Sequence, residues 1–145
     1  MSANIQKTVT RLQEKIAEGQ YYEAQQQARV VAARYVKARK WDAAVDMLHS
    51  VAQALLAAGQ GGSGGDLCVF LVDVLEKGEV AVNADSKGKV LGLLRLFASG
   101  EPTRKRFIGL MIGYVPPPTE LLSFLERLAS TLFFFFFFFV GKMVF

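Results

Sequence analysis

The chain has 145 residues, of which 52% are hydrophobic and 21% are charged, and its formal net charge is +4. This composition suits one folded domain with a buried core and argues against an intrinsically disordered chain. The single cysteine, Cys68, excludes an internal disulfide, and with the single histidine, His49, it cannot complete a four-ligand zinc site. One unpaired thiol and an N-terminus without an apolar segment predict a cytosolic protein.

Charge is segregated along the chain. Residues 1–40 contain eight Lys and Arg but three Glu, whereas residues 41–79 contain six acidic residues against Lys77 alone. A chain divided in this way presents surfaces of opposite sign, which favour docking to a charged partner.

Apolar residues at helical spacing predict seven helices and no strands. The first three are predicted over about Asn4–Glu18, Tyr21–Arg39 and Trp41–Ala58. In the first helix one stripe repeats at intervals of four, three and four residues: Ile5, Val9, Leu12 and Ile16. Asn4 can cap this helix, and Gly19 can end it in the left-handed conformation.

The glycine-rich segment Gly59–Gly65 is predicted to be a flexible linker, with Asp66 as the cap of the helix that follows. It contains the pattern G-x-G-x-x-G, but this pattern binds a dinucleotide only when it follows a strand. Four more helices are predicted: one from about Leu67, one from near Asp85, one after Pro102, and one after a proline-rich break that Thr119 can cap.

Two turns share a pattern. The segments GQYYEA (19–24) and RKWDAA (39–44) place an aromatic residue after the turn and an alanine three residues later. This is the turn chemistry of tetratricopeptide-type hairpins, although the spacing is 20 residues rather than 34. The chain is therefore predicted to be an all-α α-solenoid of antiparallel helix hairpins, a tetratricopeptide-like right-handed superhelix of about seven helices.

A basic surface is predicted on the first two helices. The residues concerned are Lys7, Arg11 and Lys15 on the first helix and Arg29, Arg34 and Lys37 on the second, all directed away from the apolar stripes. Three interpretations remain open for this surface: a solvated face, a site for an acidic protein, or a site for RNA or DNA. The nucleic-acid interpretation would use Tyr21, Tyr22 and Trp41 for stacking, but the acidic segment 41–79 would repel phosphate.

No catalytic or metal-binding constellation is predicted. His49 lies at the edge of an apolar face without a second histidine, and Cys68 is expected to be a small buried residue. The carboxylates are too scattered to form an acid–base pair, although Asp73 and Lys77 can form an i,i+4 ion pair. We therefore expect a protein that is not an enzyme and needs no cofactor or metal.

Three segments resemble a known family. They are EKIAEGQYYEAQQQARVVAARYVKARKWDAAVDML (14–48), GQGGSGGDL (59–67) and VLEKGEVAV (74–82). Over about Asn4–Asn83 the chain resembles the Golgi-to-ER traffic protein 4 family, the helical scaffold of the guided entry of tail-anchored proteins pathway. The resemblance implies a non-catalytic α-solenoid whose N-terminal half docks onto the cytosolic ATPase that carries tail-anchored proteins to the ER.

The resemblance also implies roles for individual residues. It points to the first two helices as the ATPase anchor, and so to the six basic residues named above. It implies that acidic residues around the fourth helix influence ATP hydrolysis, with Asp73 and Glu76 as candidates. A ubiquitin-like partner is held by the C-terminal half of the longer family members, and we expect that function to be absent from this chain.

The C-terminal segment STLFFFFFFFVGKMVF (130–145) contains seven consecutive phenylalanines. The apolar stretch 128–140 would extend about 20 Å as a helix, too short for the roughly 30 Å hydrocarbon core, and Gly141 and Lys142 interrupt it. Seven successive rings cannot share one buried face. We expect an N-terminal α-solenoid domain over residues 1–130 and a non-native or mis-translated extension over residues 131–145.

Overall fold

The protein is described by a computed structural model that covers residues 1–115 and 119–144, the latter with part of its side chains. The described residues form seven helices and no strand. The helices are α1 (Ala3–Ala17), α2 (Tyr21–Lys37), α3 (Trp41–Ala57), α4 (Gly61–Lys77), α5 (Ala84–Leu96), α6 (Pro102–Tyr114) and α7 (Thr119–Val144). The prediction of an all-α helical-repeat fold is confirmed.

The chain divides into two compact units, Met1–Val115 and Pro116–Phe145. The first unit contains α1 to α6, and the second contains α7. Residue 130, where the sequence predicts the end of the solenoid domain, lies inside α7. The interpretation of residues 131–145 as a non-native extension stays a prediction.

The helices of the first unit stack in two layers. Successive helices contact each other, α1 and α5 both contact α3, and α2 and α6 both contact α4. The odd-numbered helices thus form one layer and the even-numbered helices the other, which is the arrangement of an α-solenoid. The apolar stripe of α1 is buried as predicted, and the core continues through every helix as far as Tyr114.

Four turns of the same geometry connect the first helices. The residues with a left-handed backbone are Gly19, Arg39, Gly59 and Glu79, spaced 20 residues apart. In each turn the next residue donates its backbone N–H to a carbonyl five residues earlier, as Gln20 does to Lys15 and Lys40 to Tyr35, both at 2.9 Å. These bonds satisfy carbonyl groups at the helix ends. The 20-residue period seen in two segments therefore extends over four turns.

The prediction of a flexible glycine-rich linker is wrong, because α4 begins at Gly61 and includes four of the five glycines of this segment. They allow other parts of the chain to approach α4 closely. A Cβ atom at Gly64 would lie 2.8 Å from Leu56 Cγ, and one at Gly65 would lie 2.7 Å from Thr103 Cβ. Both distances are too short, so close packing places glycine here despite its low helix propensity.

The last two helices of the first unit complete its core. Asn83 caps α5 in a reciprocal pair of hydrogen bonds with Ser86. The ring of Phe107 in α6 is fully buried and stacks on Phe97 with centroids 5.5 Å apart. Tyr114 donates its hydroxyl hydrogen bond to the carbonyl oxygen of Val80 at 3.1 Å. The contacts of Phe107 and Tyr114 join α6 to the end of α5 and to the segment that follows α4.

In the second unit, α7 continues as one helix through the phenylalanine run. It also continues through Gly141 and Lys142, so these residues interrupt the apolar run but not the helix. Six of the phenylalanines have 57–74% of their surface exposed. This agrees with the expectation that they do not share a buried face.

Candidate partner-binding surface

Four of the six predicted basic residues form no ion pair with the described part of the chain. Lys7 and Arg11 are exposed on α1, and Arg34 and Lys37 are exposed on α2. The intramolecular ion pairs found among residues 1–115 involve other cations. These four side chains therefore keep their charge available to a partner. We call them the α1–α2 basic surface.

Lys15 is occupied by a contact across the α1–α2 turn. Its Nζ atom lies 2.8 Å from Glu23 Oε1 and donates a hydrogen bond to Gln20 Oε1 at 3.2 Å. A pair this near the surface adds little stability, but it neutralises the cation locally. Lys15 therefore lies at the border of the α1–α2 basic surface with its charge compensated.

Arg29 does not lie with Arg34, contrary to the predicted grouping. Five residues separate them, so their directions differ by about 140° around α2. Arg29 Nη1 lies 2.7 Å from Asp66 Oδ2 on α4, and its guanidinium carbon lies 5.2 Å from the centroid of the Phe70 ring. The predicted common surface is thus wrong for Arg29, because a cross-helix ion pair holds it on the opposite side of α2.

The prediction that Asp66 caps α4 is wrong, because α4 begins five residues before it. Its Oδ2 atom accepts hydrogen bonds from Arg29 and from Gln25 Nε2, the latter at 2.8 Å. Asp66 therefore fastens α4 to α2. The pairing spans 37 residues and leaves no periodic signal in the sequence.

The two predicted regulatory acids line a groove between α2, α4 and α6. Other charged residues of this groove are Arg29, Asp66 and Arg106. Asp73 Oδ2 lies 2.8 Å from Lys77 Nζ, so the predicted i,i+4 pair is confirmed. The groove therefore has mixed charge, and helical periodicity did not indicate that Arg106 would line it.

Two additional cations lie beside Lys37. Arg39 and Lys40 are exposed in the α2–α3 turn. They line a shallow groove with Asn4 at the start of α1. Since both directly follow α2, their charge extends the basic region toward the α1 N-terminus. Sequence periodicity missed them because they lie outside a helix.

The aromatic residues considered for nucleic-acid stacking are mostly used for packing. Tyr21 and Trp41 are half-buried against the core. The indole of Trp41 lies over Gly78, where a Cβ atom would approach it to 2.7 Å. Tyr22 is 72% exposed. The predicted stacking set is therefore reduced to Tyr22.

The titratable core residues behave as packing groups. Burial raises the pKa of the Cys68 thiol to about 12, so this cysteine stays protonated. Burial is also the main cause that lowers the pKa of His49, followed by the nearby charge of Lys89. Within the parts of the chain that the structure describes, no group of three or more His, Cys, Asp or Glu side chains is placed to hold a metal ion.

Lys89 connects α5 to α3. Its Nζ atom lies 3.1 Å from Asp46 Oδ1 and also contacts the carboxylate of Asp85. Burial acts to lower the pKa of Lys89, but the hydrogen bonds to both carboxylates outweigh it, and the pKa lies above its usual value.

As for membrane spans, the described helices include none with the length and apolar character to cross a bilayer.

Comparison with known proteins identifies relatives of the first unit. The family model described as Golgi to ER traffic protein 4 matches residues 38–116, more than half of the chain. The chain is 50% identical to the Golgi to ER traffic protein 4 of Aspergillus fumigatus over 127 residues, covering 79% of this chain and 37% of the relative. It is 39% identical to the Schizosaccharomyces pombe protein of that name over 108 residues, covering 74% and 34%.

A solved structure agrees with these relatives. The crystal structure of C. therm. Get4 has 54% sequence identity and a TM-score of 0.74, covering 75% of this chain and 36% of that one. The chain thus spans little more than a third of the relatives it matches. The family match continues through α5 and α6, beyond the segment Asn4–Asn83 that carries the clearest resemblance. The chain belongs to the Golgi to ER traffic protein 4 family.

Proposed function

We propose that the protein is a non-catalytic, cytosolic adaptor of the tail-anchored protein targeting pathway. It binds and regulates the ATPase that carries tail-anchored proteins to the ER membrane, and so promotes their delivery. Family membership supports the pathway, since the matching relatives bear the name Golgi to ER traffic protein 4. The α1–α2 basic surface supports the contact.

The observation that carries the proposal is the exposure of Lys7, Arg11, Arg34 and Lys37 on the first two helices. Cations that form no intramolecular ion pair attract an acidic partner and raise its rate of association. Lys15 has this property to a smaller degree because it pairs with Glu23. Arg29 has a structural partner in Asp66 and is expected to contribute less to binding.

The regulatory part of the proposal concerns Asp73 and Glu76. These acids line the groove between α2, α4 and α6. Once the basic surface has docked, they are placed on a different helix and can contact a second, basic region of the ATPase. In this proposal that contact favours the nucleotide-bound state of the ATPase. Replacing both acids with their amides would leave docking intact and change the rate of ATP hydrolysis.

Charge reversal tests the docking contact. We expect Lys7→Glu with Arg11→Glu to weaken binding to the ATPase by about tenfold or more, because each reversal replaces attraction with repulsion. Affinity is measured with and without nucleotide, and circular dichroism checks that helicity is retained. Lys87→Glu is the matched control, since Lys87 is an exposed cation on α5.

Two outcomes would contradict this assignment. One is an unchanged affinity of the doubly reversed variant for the ATPase. The other is salt-dependent binding to mixed RNA or DNA oligonucleotides in the absence of any binding to the ATPase, which would favour the nucleic-acid interpretation. Binding to neither would identify the chain as a helical spacer.

A further inference from the structure

We propose that α7 is a self-association element, through which further copies of this same chain dock on the exposed phenylalanine run. The proposal concerns residues 132–140 and is independent of the α1–α2 basic surface. The described side chains that carry it are Leu132, Phe133, Phe134, Phe136, Phe137, Phe138, Phe139 and Val140, all of which are exposed.

The exposed apolar area is that of a protein interface. Six phenylalanines with 57–74% exposure present on the order of 800 Å², since a phenylalanine buries about 150–250 Å² when fully covered. Patches on monomers rarely exceed a few hundred Å². The area of one side of a standard interface is about 800 Å², and the exposed rings of this helix together provide about that area.

The distribution of the rings around α7 favours copies of the chain over a membrane surface. At about 100° per residue, the six described phenylalanines leave no gap wider than roughly 100° around the axis. A helix that lies on a bilayer needs a polar face toward water, and this segment has none. A bundle of several such helices covers the rings on all sides, which a flat surface does not.

The length of the uncharged run argues against the other membrane arrangement, in which α7 would span the bilayer. Residues 128–140 extend about 20 Å as a helix, against roughly 30 Å of hydrocarbon. Charged residues limit the run at both ends: Arg127 is exposed, and Lys142 Nζ lies 5.2 Å from the centroid of the Phe138 ring. An apolar segment that is too short to span a bilayer and has no polar face is covered best by the same segment of other copies of the chain.

One side of α7 has a groove that can accommodate a phenylalanine ring from another copy of the chain. A shallow apolar groove is lined by Ala129, Ser130, Phe133, Phe134 and Phe137. The two small residues lie one turn before the rings, so a phenylalanine of a second helix can enter beside them, as a knob enters a hole between helices. Since each copy carries both the groove and the rings, the contact can repeat beyond a dimer.

Sedimentation velocity of the full chain over a range of concentrations tests the proposal. We expect oligomers whose fraction rises with concentration. In the double variant Phe134→Lys with Phe137→Lys the association constant should fall by a factor of about ten or more, because a buried unpaired charge is costly. Ile112→Lys is the matched control, since Ile112 is 63% exposed on α6. It is expected to associate as the original chain does, and circular dichroism verifies the helicity of each variant.

Salt dependence and vesicles separate this proposal from its competitors. Apolar association persists in high salt, whereas binding of the basic surface to an acidic protein weakens. A chain that stays monomeric at all concentrations would overturn the proposal. So would equal association of the double variant, or a chain that remains monomeric and binds phosphatidylcholine vesicles through the phenylalanines. Loss of self-association with retained ATPase binding would leave the proposed function unaffected.

Discussion

At the scale of single residues, two of the three basic side chains of α2 that the sequence grouped together have different environments. Arg29 is held by Asp66 and lies over the ring of Phe70, while Arg34 is exposed and forms no ion pair with a described carboxylate. The same residue type on one helix therefore has a structural role in one case and an available charge in the other. Alanine substitutions separate the two roles.

We expect Arg29→Ala to lower the free energy of unfolding by about 1 kcal/mol, because it removes a partly exposed ion pair and a cation–π contact. Arg34→Ala should change it by less than about 0.5 kcal/mol, as surface substitutions usually do. In ATPase binding the order should be reversed. Urea unfolding and titration with the ATPase measure the two effects, and a larger affinity loss for Arg29→Ala would contradict the placement described here.

His49 gives stability a pH dependence that can be assigned to one residue, because the chain has a single histidine. Burial is the largest cause that lowers its folded-state pKa, and the charge of Lys89 lowers this pKa further. The charges of Asp46 and Asp85 oppose the change. Between the folded and unfolded pKa values the unfolded chain binds more protons at His49. The free energy of unfolding therefore falls as the pH drops through about 6.5, the unfolded value.

The variant His49→Gln should lose this part of the pH dependence. We expect the difference in unfolding free energy between pH 7.5 and pH 5 to be smaller in the variant than in the original chain, since glutamine does not titrate. Carboxylates that do not interact with His49 contribute equally to both proteins, so they cancel in the comparison. The same pH dependence in both chains would contradict this, because it would show that His49 takes up no additional proton when the chain unfolds.

At the scale of elements, the glycines of α4 are explained by what lies against each of them. A Cβ atom at Gly65 would clash with Thr103 and come within 3.1 Å of Phe97, whereas nothing lies within 4 Å of one at Gly62. Both residues belong to the same helix. Their opposite surroundings make them a matched pair.

Alanine should have opposite effects at these two positions. We expect Gly65→Ala to destabilise the fold by about 1–3 kcal/mol through overpacking. Gly62→Ala should stabilise it by about 0.5–1 kcal/mol, because alanine is the better helix former and meets no obstacle. Chemical unfolding of the two variants measures this. A stabilising Gly65→Ala would mean that α6 does not pack on α4 as described.

The helix positions could be predicted from the sequence because they depend on local patterns. The stripe of Ile5, Val9, Leu12 and Ile16 and the left-handed Gly19 determine α1 to within two residues of its observed ends. The glycines of α4 obscured its start, because helix propensity disfavours glycine, and the approach of Leu56 and Thr103 explains why glycine is required there. Local patterns carry no information about such tertiary neighbours.

The candidate site likewise has features that the sequence predicts and features that it does not. The exposure of Lys7 and Arg11 follows from the period of α1, because any residue opposite an apolar stripe faces water. The pairing of Arg29 with Asp66 depends on the packing of α2 against α4, which a single sequence does not specify. For this reason periodicity found four available cations but also included two that were already paired, Lys15 and Arg29.

At the scale of the whole molecule, α6 closes the core of the first unit. Phe107 is fully buried, Met111 and Tyr114 are nearly so, and the described core extends from Ile5 to Tyr114. The 20-residue turns end at Glu79, so α5 and α6 are shorter and differently connected.

Two truncations test whether residues 1–115 fold as a unit. We expect a chain of residues 1–115 to be helical and to unfold cooperatively in urea, because the core described above lies entirely within it. A chain of residues 1–96 should lose most of its stability. Removing the buried ring of Phe107 alone costs about 3–5 kcal/mol, which is a large part of the 5–15 kcal/mol of a typical domain. If the shorter chain unfolded at the same urea concentration as the longer one, α6 would not be part of the cooperative core, and the stack would end at α5.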